Sequence, residues 1–232
     1  MEILTNGFTL ELAEATFPLS TDSMVLADYV RLSRNARVLD LGSGCGTLGL
    51  LLCARQPLCS VTGIELSPAA HEAALDNIRR NGIEDRMESI CADLTAVPDR
   101  FPAGSFDCCV SNPPYFSAGP ASRRLPTARR EDCCTPRQLF RSAAWAIKYG
   151  GDFFLVHRPE RLAELIAEGA RAGLEAKGLR LLRHRTDSSV SLILLHFRKG
   201  AKPGLVLEEM ALYHPDGSPT EHYQRIYHHK EA

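Results

Sequence analysis

Asn112-Pro113-Pro114-Tyr115 sets an amide, two rigid prolines and a phenol side by side. A planar amine such as the exocyclic group of adenine is a poor nucleophile, because its lone pair is delocalised into the ring. An enzyme that alkylates it must hold both N–H groups and the ring together. The side-chain oxygen of Asn112 and the carbonyl of Pro113 can accept those two hydrogens without ionising. Their dipoles favour positive charge as it grows on the nitrogen. The prolines keep the carbonyl rigid, which limits the entropy lost in orienting reactants, and Tyr115 offers a ring for stacking. A tight turn with asparagine as a local cap is the plainer use of the same residues.

A second group precedes it. Gly42-Ser43-Gly44-Cys45-Gly46 follows the short apolar run Arg37-Val38-Leu39-Asp40-Leu41. Glycine lacks Cβ and tolerates positive φ, so such a loop lets backbone pass close to a nucleotide-like ligand. The match to the dinucleotide fingerprint G-x-G-x-x-G is imperfect, because Thr47 stands where the third glycine would be. Glu65 ends the next apolar run, where a carboxylate can accept hydrogen bonds from both hydroxyls of a ribose. Asp93 ends the run after that, either as a ligand contact or as a cap.

These residues need a scaffold that brings strand ends together. From about residue 36 to 200, apolar runs alternate with helical patterns, the signature of βαβ units and a parallel sheet. Strands are expected at 37–41, 60–66, 87–93, 106–110, 152–157, 178–185 and 190–198, the last two joined as an antiparallel hairpin through 186–189. Helices are expected at 47–55, after Pro68 with Ser67 as cap, at 136–149 with Gly150-Gly151 as terminator, and from Leu162 to Leu174 at helical spacing. In an open parallel sheet, ligands bind beyond the carboxyl ends of the strands at the switch point. Asp40, Glu65, Asp93 and Asn112 then converge on one crevice.

The 232 residues carry 27 Lys+Arg against 28 Asp+Glu and are 44% hydrophobic, which excludes disorder, collagen and coiled coil. One domain with appendages is expected: residues 1–35 as an N-terminal segment, 36–200 as the main domain and 201–232 as an extension packed on it. No apolar run approaches the roughly 20 residues of a membrane-spanning helix, and the start of the chain lacks a secretion signal, so a cytoplasmic protein without membrane partners is expected. The eight cysteines fall mainly in apolar patterns and include no C-x-x-C pair. Buried, reduced thiols are expected rather than disulfides or a metal site.

Residues 38–46, Glu65, Asp93 and 112–115 together resemble class I S-adenosylmethionine-dependent methyltransferases of the amino-methylating N-P-P-Y group. Within it the chain is most similar to the bacterial tRNA1(Val) adenine-37 N6-methyltransferase family. The likeness extends to residues 17–23, Leu26-Ala27, Phe116, Gly119 and the Arg158-Pro159-x-Arg161-Leu162 turn. It implies a Rossmann-like α/β fold: a seven-stranded, mostly parallel sheet with one antiparallel strand. It also implies S-adenosylmethionine as cofactor and S-adenosylhomocysteine as product. By the same resemblance Asp40, Gly42 and Gly44 border the methionine part of the cofactor, Glu65 holds its ribose and Asp93 its adenine amine, with Ser43, Gly46, Leu66 and Leu94 also in the cofactor site. Asn112, Pro113, Pro114 and Tyr115 would hold the target base, Asn112 reaching the cofactor as well. Thr21 and Asp22 match a segment that packs over the cofactor, which makes residues 1–35 a covering segment.

The glutamine amide of peptide-chain release factors presents the same planar NH2, so the N-P-P-Y motif alone admits a release-factor methyltransferase. Such enzymes resemble this core but place a helical domain ahead of it, whereas 36 residues precede Arg37 here, which favours the base as target. Residues 117–150 add Arg123, Arg124, Arg129, Arg130, Arg137, Arg141 and Lys148 against Glu131 and Asp132. The excess of positive charge beside the crevice suits RNA phosphates, with binding that weakens steeply in salt; a solvated surface is the alternative. A flipped or single-stranded adenine, as a tRNA loop exposes, fits the geometry. A non-catalytic RNA-binding module on the same fold is disfavoured by Asn112, Glu65 and Asp93 together, and a nicotinamide-dependent oxidoreductase by Thr47 and the prolines.

Overall fold

Alternation of apolar residues decides which side of each strand is covered, and the computed structural model, which describes residues 2–4, 7–11, 20–113 and 134–227, turns the runs into one sheet. A small antiparallel pair comes first, β1 (Glu2–Ile3) with β2 (Thr9–Leu10). The main sheet contains β3 (Arg37–Leu41), β4 (Ser60–Glu65), β5 (Met87–Cys91), β6 (Phe106–Ser111), β7 (Ile147–His157), β8 (Leu174–Arg185), β9 (Val190–Lys199) and β10 (Val206–Tyr213). Their order is β10-β8-β9-β7-β6-β3-β4-β5. The chain runs outward from β3 through β4 to β5, then returns to β6 on the other side. The switch point therefore lies between β3 and β6. Only β9 runs against its neighbours, β7 and β8; every other pairing in this sheet is parallel.

The fold is the α/β arrangement expected, and among the described residues its main sheet has eight strands where seven were expected. The additional strand, β10, pairs in parallel with β8 at the sheet edge. Residues 206–209 are all exposed, so no alternation of apolar and polar residues marks that half of it. A second difference concerns the helix at 136. It ends at Ala146, and Ile147 already pairs with Phe106. Gly150 and Gly151 do not end a helix. They form a bulge in β7, where Gly150 takes φ of 78° and any Cβ on Gly151 would meet the Asp107 carbonyl at 2.9 Å. β5 stops before Asp93, and β8 starts earlier than expected, at Leu174.

Helices cover both faces. On one, α1 (Thr21–Tyr29), α2 (Thr47–Arg55), α3 (Pro68–Arg80) and α7 (Glu221–Tyr227) pack over Val38, Val61, Cys108, Val110, Phe154 and Val156. On the other, α4 (Val97–Arg100), α5 (Pro136–Ala146) and α6 (Leu162–Arg171) cover Leu39, Leu41, Ile64, Cys109, Phe153 and Leu155. Successive residues of β3 and β6 thus serve opposite layers, as the strand period requires. Phe140 anchors the second layer by edge-on contacts with Phe153 and Phe197 at 5.3 and 5.0 Å. Each such pair contributes about 0.5–1.5 kcal/mol beyond the area it buries. α3 begins as its residues dictate, with Pro68 in the first turn and Ser67 Oγ accepting from the Ala70 N–H.

Among the described residues no helix is long and apolar enough to cross a membrane. The described cysteines are free thiols; all are buried except Cys91, which is exposed at the end of β5.

Candidate active site

The carboxyl ends of β3, β4 and β6 are joined by hydrogen bonds that leave chosen groups open. Beyond Leu41 the backbone N–H groups of Gly42 and Ser43 both donate to the Ile64 carbonyl, at 2.9 and 3.0 Å. This pulls the loop across the end of β4. Gly42, Gly44 and Gly46 take φ of 77°, 57° and 83°, a region that other residues enter only with strain. Close approach adds a demand at Gly63, where a Cβ would stand 2.6 Å from Ser43 Oγ.

Glu65 is the tie between loop and strand. Its Oε2 accepts from the Gly44 N–H and its Oε1 from the Ser67 N–H, both at 2.8 Å. A carboxylate offers about four acceptor sites, so both oxygens retain capacity for a ligand while the group is held still.

Asp40 is fully buried, and its Oδ2 has no hydrogen-bond partner among the described residues; the same is true of Ser43 Oγ. Burial, with the Glu65 charge nearby, raises the Asp40 carboxyl to about 7. An unsatisfied buried polar group costs about 1–3 kcal/mol. Two of them beside a glycine loop fit a site whose missing partners arrive with a polar ligand. The cradle, the glycine backbone and the carboxylate tie suit a nucleoside carrying an amino-acid tail.

Asp93 Oδ1 accepts from the Thr95 N–H and hydroxyl at 2.7 and 2.6 Å, capping the turn at Leu94–Ala96. Its other oxygen is not part of that cap. The end of β5 is drawn to β4 by the Ala92 N–H, which donates to the Glu65 carbonyl, while Asp93 itself makes no hydrogen bond to Asp40, Glu65 or Asn112 among the described residues. Leu66 is half exposed beside Glu65.

On the other side of the switch point, Ser111 Oγ donates to the Leu41 carbonyl at 2.7 Å and fixes the end of β6 against β3. The next residue, Asn112, donates through Nδ2 to Ser23 Oγ at 3.0 Å. Pro113 is buried. Pro114 and Tyr115 lie outside the described residues, as do Phe116, Gly119 and Arg123, Arg124, Arg129 and Arg130. Thr21 and Asp22 open α1, whose cap is Ser20, accepting from the Ser23 N–H. Burial raises the Asp22 carboxyl, opposed by the charge of Arg158 at the end of β7. The structure thus brings Asp40, the glycine loop and Glu65 into one unit, and Thr21, Asp22 and Asn112 into another through Ser23.

Two asparagines that sequence reasoning passed over hold the cradle in place. Asn77 on α3 is fully buried. Its amide donates to the carbonyls of Glu11 and Cys45 at 2.9 and 3.0 Å and accepts from the Glu11 N–H at 2.8 Å. One turn on, Asn81 accepts from the Thr9 N–H and donates to its carbonyl, both at 2.8 Å. The available signal was an asparagine on the apolar stripe with Ala70, Ala74 and Ile78. His157 is fully buried at the end of β7, with Nδ1 accepting from the Arg158 N–H at 2.8 Å. Burial lowers it to about 4, so the ring is neutral.

The model of the methyltransferase small domain family matches residues 19–170. A tRNA1(Val) (adenine(37)-N6)-methyltransferase of Bacteroides fragilis is 30% identical over 152 residues, 64% of this chain and 63% of that protein's length. The protein of the same description from Edwardsiella ictaluri is 32% identical over 203 residues, 83% of this chain and 80% of its own. Among solved structures, a predicted O-methyltransferase from Agrobacterium tumefaciens superposes with a TM-score of 0.72 at 25% identity, covering 89% of this chain and 95% of the other.

Proposed function

The chain belongs to the methyltransferase small domain family, and on that premise we propose that it methylates N6 of an adenine in tRNA. S-adenosylmethionine is the donor, S-adenosylhomocysteine the product, the anticodon-loop position 37 of tRNA1(Val) the target and the cytoplasm the setting. The observation that carries this reading is the Asn112 amide. Its nitrogen is committed to Ser23, so its oxygen remains to accept from an amine.

When bound, S-adenosylmethionine supplies a methyl group on a positively charged sulfur. The residues of this chain then have the following work. Asp40, Gly42, Ser43, Gly44 and Gly46 hold the amino-acid end, where the open Asp40 and Ser43 oxygens accept or donate. Glu65, with Leu66 beside it, takes the ribose hydroxyls on its unused lone pairs. Asp93 turns its free oxygen to the adenine amine, with Leu94 against the ring. Thr21 and Asp22, in the N-terminal segment 1–35, cover the pocket.

Asn112 Oδ1 and the Pro113 carbonyl would accept the two hydrogens of the target amine and so orient its lone pair. Positive charge that builds on the nitrogen meets two fixed dipoles. Pro114 stiffens the loop, and Tyr115 stacks on the base. No side chain has to act as a strong base, because the methylated amine is acidic enough to release its proton to water. Arg123, Arg124, Arg129 and Arg130 contact the RNA phosphates.

The test is transfer of labelled methyl from S-adenosylmethionine to unmodified tRNA and, in parallel, to a peptide-chain release factor. Label recovered as N6-methyladenine is the expected result. Label in the release factor alone, or in neither, overturns the substrate.

A further inference from the structure

We infer that Ser23 is a positioning residue for this reaction, one that anchors the Asn112 amide against the amine to be methylated; the inference rests on the proposed methyl transfer. The terminal torsion of asparagine is broad and roughly two-fold. Rotated by half a turn, the amide would present its own NH2 to the NH2 of the substrate, donor against donor. Nothing in the backbone prevents this, since the proline that follows restricts only φ and ψ of Asn112.

Ser23 Oγ supplies a fixed anchor for the amide. It stands 3.0 Å from Asn112 Nδ2 and is itself buried. A hydroxyl donates as well as accepts, so the serine narrows the torsion to two orientations half a turn apart, and of these only the one seen here, with Nδ2 on the serine, meets the substrate amine with an acceptor. The hydroxyl is placed by its helix. Ser20 caps the first turn through the Ser23 N–H, and Asp28 in the last turn is gripped by Arg225 at 3.0 Å and Arg180 at 3.3 Å. Tyr227 of α7 is hydrogen-bonded to Thr21 at the start of α1. Helix α1 is thus clamped at both ends, and Ser23 reaches the reacting loop from a fixed platform.

The experiment compares Ser23→Ala and Ser23→Thr with the full chain. Protein labelled with 15N-asparagine gives the side-chain signal of Asn112, assigned by its absence in Asn112→Ala. Slow exchange of an Nδ2 hydrogen is expected in the wild type and in Ser23→Thr, and fast exchange in Ser23→Ala. In methyl transfer to unmodified tRNA, Ser23→Ala should lower kcat about tenfold, the equivalent of one neutral hydrogen bond. KM for tRNA and calorimetric affinity for S-adenosylmethionine should stay unchanged, and Ser23→Thr should restore kcat. In an Asn112→Ala background, Ser23→Ala should have no further effect, because both changes act through one group.

An unaltered Asn112 signal in Ser23→Ala, an unaltered kcat, or effects that multiply in the double variant overturns the role of Ser23. If the wild type labels only the release factor, the tRNA reading fails. The same comparison of kcat values on that acceptor then decides the role of Ser23. A wild type that labels neither acceptor overturns both.

Discussion

The side-chain amide of Asn77 pairs with the backbone of Glu11 as a neighbouring strand would, accepting from its N–H at 2.8 Å and donating to its carbonyl at 2.9 Å. The same amide nitrogen reaches the Cys45 carbonyl in the glycine loop. One buried residue therefore couples the N-terminal strand pair to the cradle. Asn77→Ala should cost roughly 2–3 kcal/mol in chemical denaturation, since it leaves several backbone groups without partners. Hydrogen exchange at Glu11 should quicken, and S-adenosylmethionine should bind more weakly. Unchanged protection at Glu11 would show that the segment is held by other means.

Asn112→Ala separates chemistry from binding. Turnover with tRNA should fall by roughly 10²-fold or more, as when one preorganised hydrogen-bonding group is removed, while the cofactor binds as before in calorimetry. A variant with full turnover would remove Asn112 from the mechanism.

The pH dependence of stability follows from Asp40 and His157 together. Asp40 sits at about 7 in the fold against about 3.9 in an unfolded chain. Between those values the folded protein keeps a proton that the unfolded chain has lost. Its contribution to stability is complete below about pH 4 and gone above about pH 7. His157 works the other way: lowered to about 4 by burial from about 6.5, it contributes fully above about pH 6.5 and loses its contribution as pH falls to about 4. The two slopes oppose each other across that window. Asp40→Asn removes one of them, so the variant should gain on the wild type as pH rises from about 4 to about 7, by at most a few kcal/mol at about 1.4 per pKa unit. Denaturation midpoints taken at about pH 4.5, 6 and 7.5 check this, and parallel curves for the two proteins would contradict it.

Charge reversal at Arg123 and Arg124 tests the proposed RNA interface. Binding of tRNA should weaken, and its dependence on salt should flatten by about one unit of slope for each phosphate no longer neutralised. An unaltered slope would leave these arginines as solvated surface.

Local pattern makes part of this molecule legible in its residues. β3, β4 and β6 are short apolar runs that stop at a glycine, an acid or a proline, and their carboxyl ends lie where those residues predict. β10 is invisible in the sequence because its exposed first half lacks alternation. The end of α5 is ambiguous there because Gly150-Gly151 marks a bulge as readily as a helix terminus. Asn77 and Ser23 escape notice for a different reason. Each acts on a backbone or amide group far away in sequence, 66 residues for Asn77 and Glu11 and 89 for Ser23 and Asn112, and no periodicity records such a partner. Asp93 is readable as either a ligand contact or a cap. The structure shows the cap on one oxygen, which leaves the other for the proposed role.

The clamp on α1 joins an early part of the chain to a late one. Arg225 and Asp28 are 197 residues apart, and contacts of such separation form late because the intervening loop must close first. The tie between Gly44 and Glu65 in the cradle spans only 21 residues. On the proposed role of Ser23, the geometry at Asn112 therefore rests on the most distant contacts of the fold described above, while the cradle rests on local ones.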